Sequence, residues 1–219
     1  SMIFSTYTAD DTKYLTATID IESSVIRILD QYLLTVLDLG GQTVFTEHWN
    51  RNSNERIYKG VHVLIFVSDC CSEEWLKDLG LFLECLQHLR VYSPDAKIFF
   101  MLHKIDLLDH WKESGFSKKK KIEHRKEIDQ RLSQFKTYIQ QQINKTQDTD
   151  DNYKSTILNK INFESTTIFN DSLYSAWGKI ISNIVPNLRE YEVKIRKFCQ
   201  EVKADECVLF EKNTYLPIV

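Results

Sequence analysis

Val61-His62-Val63-Leu64-Ile65-Phe66-Val67-Ser68 decides the class of fold. Its apolar residues run on instead of alternating with polar ones, which is the pattern of a strand covered on both faces in a parallel sheet. A second such run, KIFFML, occupies 97–102. Between the two, Trp75, Leu76, Leu79, Phe82, Leu83, Leu86 and Leu89 recur at steps of three and four and share one helical face. Ser72, followed by Glu73 and Glu74, predicts the helix start, because a hydroxyl caps free amides and acids suit the positive helix end. Tyr92-Ser93-Pro94-Asp95 predicts its stop. Strand, helix and strand at this spacing make a βαβ unit with a right-handed crossover.

Working outward, 25–29 (VIRIL) and 33–38 (LLTVLD) flank Asp30-Gln31-Tyr32 and predict a hairpin. Downstream, Ile128, Leu132, Phe135, Ile139 and Ile143 predict one helix. Leu173, Trp177, Ile180, Ile181 and Ile184 predict another, capped near Asn170-Asp171 and stopped by Pro186. Leu188, Tyr191, Ile195, Phe198 and Val202 mark a last helix, after which 206–210 and 214–219 read as a further hairpin. The segment 112–160 differs in character, with Lys118 to Lys121 in a row and Gln140-Gln141-Gln142. It reads as an enlarged surface helix and loop, partly disordered around 146–155.

Composition narrows the function. The chain has 219 residues, 42% apolar and 27% charged, an ordinary globular balance that argues against global disorder. No uncharged apolar run approaches the ~18 residues needed to span a bilayer, and the N-terminus lacks the shape of a signal peptide. A net charge of −3 makes no electrostatic case for nucleic acid. The five cysteines contain no C-x-x-C pair, so neither a disulfide framework nor a structural zinc site is expected, and a reducing cytosol is the default. Cys70-Cys71 read as loop or core fillers, since adjacent cysteines bridge poorly. The six glycines (40, 41, 60, 80, 115 and 178) include no two that are five apart, which excludes a G-x-x-x-x-G-K-[ST] phosphate loop within these residues.

Three motifs could carry chemistry. Asp38-Leu39-Gly40-Gly41-Gln42 follows a predicted strand. There, an Asp can hold magnesium through water, a Gly amide can approach a γ-phosphate, and a Gln can orient an attacking water. His103-Lys104-Ile105-Asp106 ends the 97–102 strand at the carboxyl edge of the sheet, where open α/β folds bind ligands. Its Asp can accept from guanine N1 and N2 while the Lys stem lies over the base. Ser165-Thr166-Thr167-Ile168 follows the run Ile161-Asn162-Phe163 and offers loop amides to guanine O6. Each motif alone also fits an ordinary turn or loop. A fourth feature, six basic residues against one acid across 118–126, fits a solvated helix face as well as an anionic surface.

Taken together and in this order, the motifs resemble a Ras-type GTPase, specifically the A-type subunit of the Rag/Gtr family. Thr16-Ala17-Thr18-Ile19-Asp20-Ile21-Glu22 is similar to that subunit's first switch, and Asp38 to Phe45 to its second. Ser93-Pro94-Asp95-Ala96-Lys97-Ile98-Phe99 leading to His103-Lys104-Ile105-Asp106 resembles its base-binding region, with the His a Rag trait. Asp171 to Trp177, Ile184-Val185-Pro186-Asn187 and Glu201 to Glu211 resemble further family blocks. The resemblance implies a Ras-like α/β fold over 1–187 with an insertion around 112–160, and a linking helix and the first strands of a longin-like roadblock domain over 188–219. It implies GTP or GDP with Mg²⁺, with Thr18 and Asp38 as magnesium ligands (Asp38 via water) and Gln42 in the catalytic role. Thr18, Gly41, His103, Lys104, Asp106, Thr167 and Ile168 would be the nucleotide contacts. It also implies a C-type Rag/Gtr partner, recruitment of the target-of-rapamycin complex to a lysosomal or vacuolar scaffold when amino acids are plentiful, and a cytoplasmic protein touching membrane only indirectly.

One departure stands out. The family begins with a strand and the phosphate loop, whereas this sequence opens at Ser1-Met2-Ile3-Phe4, where the family is already in the helix after that loop. By family topology the strand would lie between those at 33–38 and 61–68. The expectations left open are a truncated reading frame, omitted residues, or a nucleotide-free pseudo-GTPase acting as an interaction scaffold.

Overall fold

The computed structural model describes residues 8, 10–14, 21–29, 32–40, 54–108, 118–145, 151–212 and 214–218. In chain order the elements are β1 (Glu22–Ile28), β2 (Tyr32–Asp38), α1 (Asn54–Tyr58), β3 (Val63–Asp69), α2 (Trp75–Tyr92) and β4 (Lys97–His103). They continue with α3 (Lys118–Lys145), α4 (Asp151–Lys160), β5 (Ile161–Thr166), α5 (Ser172–Ile184) and α6 (Leu188–Glu201). The chain divides into two compact units, 57–173 and 1–56 with 174–219.

In the first unit the continuous apolar runs form the expected parallel sheet, in the order β3-β4-β5. The register sets Phe66, Phe100 and Phe163 abreast, so their rings share one face. Phe82 of α2 and Phe135 of α3 close over that face, with ring centroids 5.1 Å and 5.8 Å from Phe100. Phe100 is fully buried, as are its neighbours Phe99 and Leu102. Helix α3 presents Phe135, Ile139 and Ile143 to the interior at the predicted spacing. Helix α2 ends where expected, with the Ser93 hydroxyl accepting from the Val61 amide and reaching the Tyr58 carbonyl.

In the second unit, β1 and β2 form the predicted antiparallel hairpin, with Glu22 opposite Asp38. Helix α5 packs its Gly178 against Pro217, where an added Cβ would lie 3.1 Å from the Pro217 carbonyl oxygen. Helix α6 has no buried residue. Among the described residues β1 pairs with β2 alone and β3 with β4 alone, so the chain carries two separate sheets.

Three expectations need correction. Ser72 does not cap α2; it is still in the turn that leaves β3, closed by its amide on the Asp69 carbonyl at 3.2 Å, so the helix begins only at Trp75 and Glu74 holds the cap position without a side-chain bond. Residues 151–160 are the helix α4, not disordered chain; 146–150 lie outside the described residues. Among the described residues the expected 206–210/214–219 hairpin reduces to a single antiparallel bridge between Phe210 and Pro217. Beside it Tyr215 sits at φ 56°, Pro217 has no amide to give, and a buried Glu211 carboxylate instead takes the Thr214 amide and hydroxyl at 2.7 Å and 2.8 Å.

Candidate functional site

Parallel pairing brings Asp69, His103 and Thr166 level at the carboxyl ends of three neighbouring strands. The edge is extended by the Cys70 amide, which donates to the His103 carbonyl at 3.0 Å. Two of the motifs read from the sequence therefore meet at one place, on the edge where α/β sheets open to ligands.

Lys104 is the first residue beyond β4 and turns the chain sharply. Its backbone is left-handed at φ 62°, a conformation non-glycine residues adopt rarely and at a cost. Its carbonyl then accepts from the Leu107 amide at 2.9 Å, closing the short 3-10 turn Ile105–Leu107. The ammonium reaches back to the Asp69 carboxylate at 2.7 Å. That bond raises the Lys104 pKa above its usual value. For Asp69, partial burial pushes upward, but the Lys104 ammonium and the Cys71 amide at 2.9 Å together hold the carboxyl below the usual range. The lysine is thus tethered at its tip while its stem stays half exposed.

Asp106 is fixed from the other side. The Thr167 hydroxyl, completely buried, donates to one carboxylate oxygen. Among the described residues the second oxygen has no protein donor, so it remains as an acceptor on a half-buried carboxylate. Thr167 is itself held, its amide donating to the Ser172 hydroxyl at 3.0 Å and its own hydroxyl accepting from the Phe169 amide at 3.3 Å. Ser172 opens α5, its amide capped by the Asn170 carboxamide at 2.8 Å, as the Asn170-Asp171 signal predicts. Of the loop amides offered for a base carbonyl, that of Thr167 is therefore occupied, and that of Ile168 lies beside it. His103 shares a bond with the Thr166 hydroxyl at 2.9 Å, and burial lowers its pKa, favouring the neutral ring.

The chemistry of this corner suits a planar heterocycle with two adjacent N–H donors, met by the Asp106 side chain, beside an aliphatic stem that can lie along its face. Asp69 and Ser172 are the residues that motif reading left out of the site, and Thr166, read only as part of the third loop, proves to be the partner of His103. A signal for Asp69 existed, since any residue ending the 61–68 strand must sit level with the end of the 97–102 strand once the two are parallel. Asp38 lies at the exposed end of β2, beside a buried Gly40. Thr18, Gly41 and Gln42 lie outside the described residues, as do the side chains of Lys118 to Lys121.

The Gtr1/RagA G protein conserved region matches residues 1–219. The chain is 38% identical over 218 residues to the "GTP-binding protein GTR1" of Saccharomyces cerevisiae, covering 100% of this chain and 62% of that protein. It is 35% identical over 218 residues to the "Ras-related GTP-binding protein A" of Dictyostelium discoideum, covering 100% of this chain and 63% of the relative. The "GTP-binding protein GTR2" of Saccharomyces cerevisiae is more distant, 23% identical over 181 residues, covering 83% of this chain and 46% of that protein. The chain thus spans somewhat under two thirds of the length of its nearer relatives here. It belongs to the Gtr1/RagA family and sides with the A-type subunits.

Proposed function

We propose that this member of the Gtr1/RagA family is a guanine-nucleotide-binding switch whose base-recognition corner is the Lys104–Asp106–Thr167 cluster. The observation that carries the reading is the arrangement around Asp106: one carboxylate oxygen is held by the buried Thr167 hydroxyl and the other is left as an acceptor beside the tethered Lys104 stem. Guanine N1 and N2 are the adjacent donors such a carboxylate accepts, whereas adenine presents an acceptor at N1. Ile168 supplies the neighbouring amide for the base carbonyl. Relatives named as GTP-binding proteins support the same reading.

The phosphate side follows by family correspondence. Asp38, a carboxylate side chain at a strand end, has the donor chemistry to hold a magnesium ion through water, with Thr18 as a second oxygen donor. The ion would offset phosphate charge, Gly41 would offer its amide to the γ-phosphate and Gln42 would orient the attacking water. Residues 1–187 then form the G domain, and 188–219 lead into a dimerising roadblock-like domain. By the same correspondence the switch pairs with a C-type Rag/Gtr subunit and acts in amino-acid sensing upstream of the target-of-rapamycin complex, at a lysosomal or vacuolar scaffold. The weaker likeness to GTR2 suits a paired family of this kind.

The test is base preference. Guanine nucleotides should out-compete adenine nucleotides, and Asp106→Asn should move the preference toward xanthine nucleotides, whose exposed edge replaces one donor by an acceptor and so matches a carboxamide. Equal binding of all purine nucleotides, or a guanine preference unmoved by Asp106→Asn, overturns the assignment. A folded protein that binds no nucleotide at all supports the scaffold reading instead.

A further inference from the structure

Next to the base corner, on the far side of Asp69, lie two thiols that the proposed switch does not use. Cys70 is 1% exposed and Cys71 is exposed, and their sulfurs are 3.6 Å apart. A disulfide is a poor use of the pair. Consecutive Cα atoms are about 3.8 Å apart, short of the roughly 4.4 Å minimum that a relaxed bridge spans. The separation does fit a shared ion: two sulfurs each about 2.3 Å from a tetrahedral zinc lie about 3.8 Å from one another. The Asp69 carboxylate completes a compact set, its ligand atom and both sulfurs lying within 4.8 Å of one another. Helix α3 adds a carboxylate to the same cavity, outside that compact set. Glu127 lines the same cavity of about 340 Å³ as both cysteines, and its Oε2 is buried with no hydrogen-bond partner among the described residues. A carboxylate oxygen left that way is costly, and a cation in the cavity relieves it.

We propose that Cys70, Cys71 and Asp69 form a binding site for a thiophilic divalent cation of the zinc class, with Glu127 as an outer carboxylate on the same cavity. The charges balance. Two thiolates and two carboxylates carry four negative charges, which the dication, Lys104 at 2.7 Å from Asp69, and Arg131 on the cavity wall together offset. Arg131 also fixes the turn, its Nε donating to the Cys70 carbonyl at 3.1 Å. Binding displaces two thiol protons to solvent. One of them currently sits in a bond from Cys70 Sγ to the Lys104 carbonyl at 3.1 Å, so the ion draws on the same turn that presents Lys104. No metal spacing announces the site: two ligands are adjacent, a third precedes them directly, and the outer carboxylate is 56 residues further on (Cys71 to Glu127).

The experiment is zinc titration of the whole metal-free chain in competition with a chromophoric chelator, repeated with cadmium to read the thiolate charge-transfer band. About one zinc per chain should compete with the chelator, and the cadmium band should appear in step. Cys71→Ser, at an exposed position, should abolish both while leaving the unfolding midpoint unchanged. Glu127→Gln should weaken zinc by roughly 10–100-fold, the range for a group that tunes a metal site. Cys199→Ser removes a thiol paired with Cys207 in the other unit and should change nothing. No retained zinc in the wild type, or loss on Cys199→Ser with retention on Cys71→Ser, overturns the site.

Discussion

β4 and β2 are both seven residues long and rich in the same apolar side chains, yet they lie in opposite environments. In β4 every residue from Ile98 to Leu102 is buried, because the strand is central and a helix layer closes over the face that carries Phe100. In β2 half-buried and exposed residues alternate, and in its partner β1 Val25 is 64% exposed. A strand with two pairing neighbours and covered faces needs an unbroken apolar run, whereas a strand in a two-stranded hairpin can spend every second position on solvent. The chemistry follows the same division. Side chains that hold one another in place lie at the carboxyl ends of the parallel strands, and Asp38 lies at the end of a hairpin strand.

The comparison is broken most directly at its two extremes. Phe100→Ala removes the ring against which Phe66, Phe82, Phe135 and Phe163 pack, and should cost about 3–5 kcal/mol in urea unfolding. Against a total stability of about 5–15 kcal/mol, that leaves a marginal protein. Val25→Thr keeps the β-branch on an exposed hairpin position and should stay within about 0.5 kcal/mol. A cost near that of the phenylalanine would mean that the outer face of the hairpin is covered in solution.

A smaller contrast uses two threonines. Thr167 is buried and donates to a carboxylate; Thr35 is exposed on β2. Thr167→Val keeps the shape and removes the donor, leaving Asp106 short of a partner, and should cost about 1.5–3 kcal/mol. Thr35→Val should be close to neutral in the same assay. The two residues also mark what could be read in advance. The strands, the helical face from Ile128 to Ile143 and the meeting of the His103-Lys104-Ile105-Asp106 and Thr167-Ile168 loops were legible, because each is written in contiguous or periodic residues. The ties that fix the site were not. The Asp69 bond to Lys104 and the Ser172 bond to the Thr167 amide depend on which strand ends stand level and where α5 begins. The Ser72 cap was misread for a related reason: local propensity favoured a hydroxyl cap, but the turn that carries the chain out of β3 extends through Ser72, and the helix begins only at Trp75.

The smallest effect is a slope in pH, and it belongs to the buried sheet alone, since neither hairpin strand contains a histidine. Burial lowers the His103 pKa; the Asp106 charge opposes that, Lys104 adds to it and Asp69 opposes it more weakly. The unfolded chain therefore takes up a proton near pH 6.5 that the folded chain still refuses. Stability from this group is fully present above about pH 6.5 and is lost as pH falls toward the lowered folded value, at no more than about 1.4 kcal/mol per pH unit for one proton. Asp69 is depressed as well, but its contribution is lost only below the ordinary carboxylate range, so the two windows separate. His103→Asn keeps a partner for the Thr166 hydroxyl and removes the titration. Chemical denaturation from about pH 5 to 7 should then show the wild-type slope flatten in His103→Asn and persist in Asp69→Asn, the other histidines cancelling in the difference. A slope unchanged by His103→Asn would move the proton uptake to another histidine and leave the His103–Thr166 bond without a part in it.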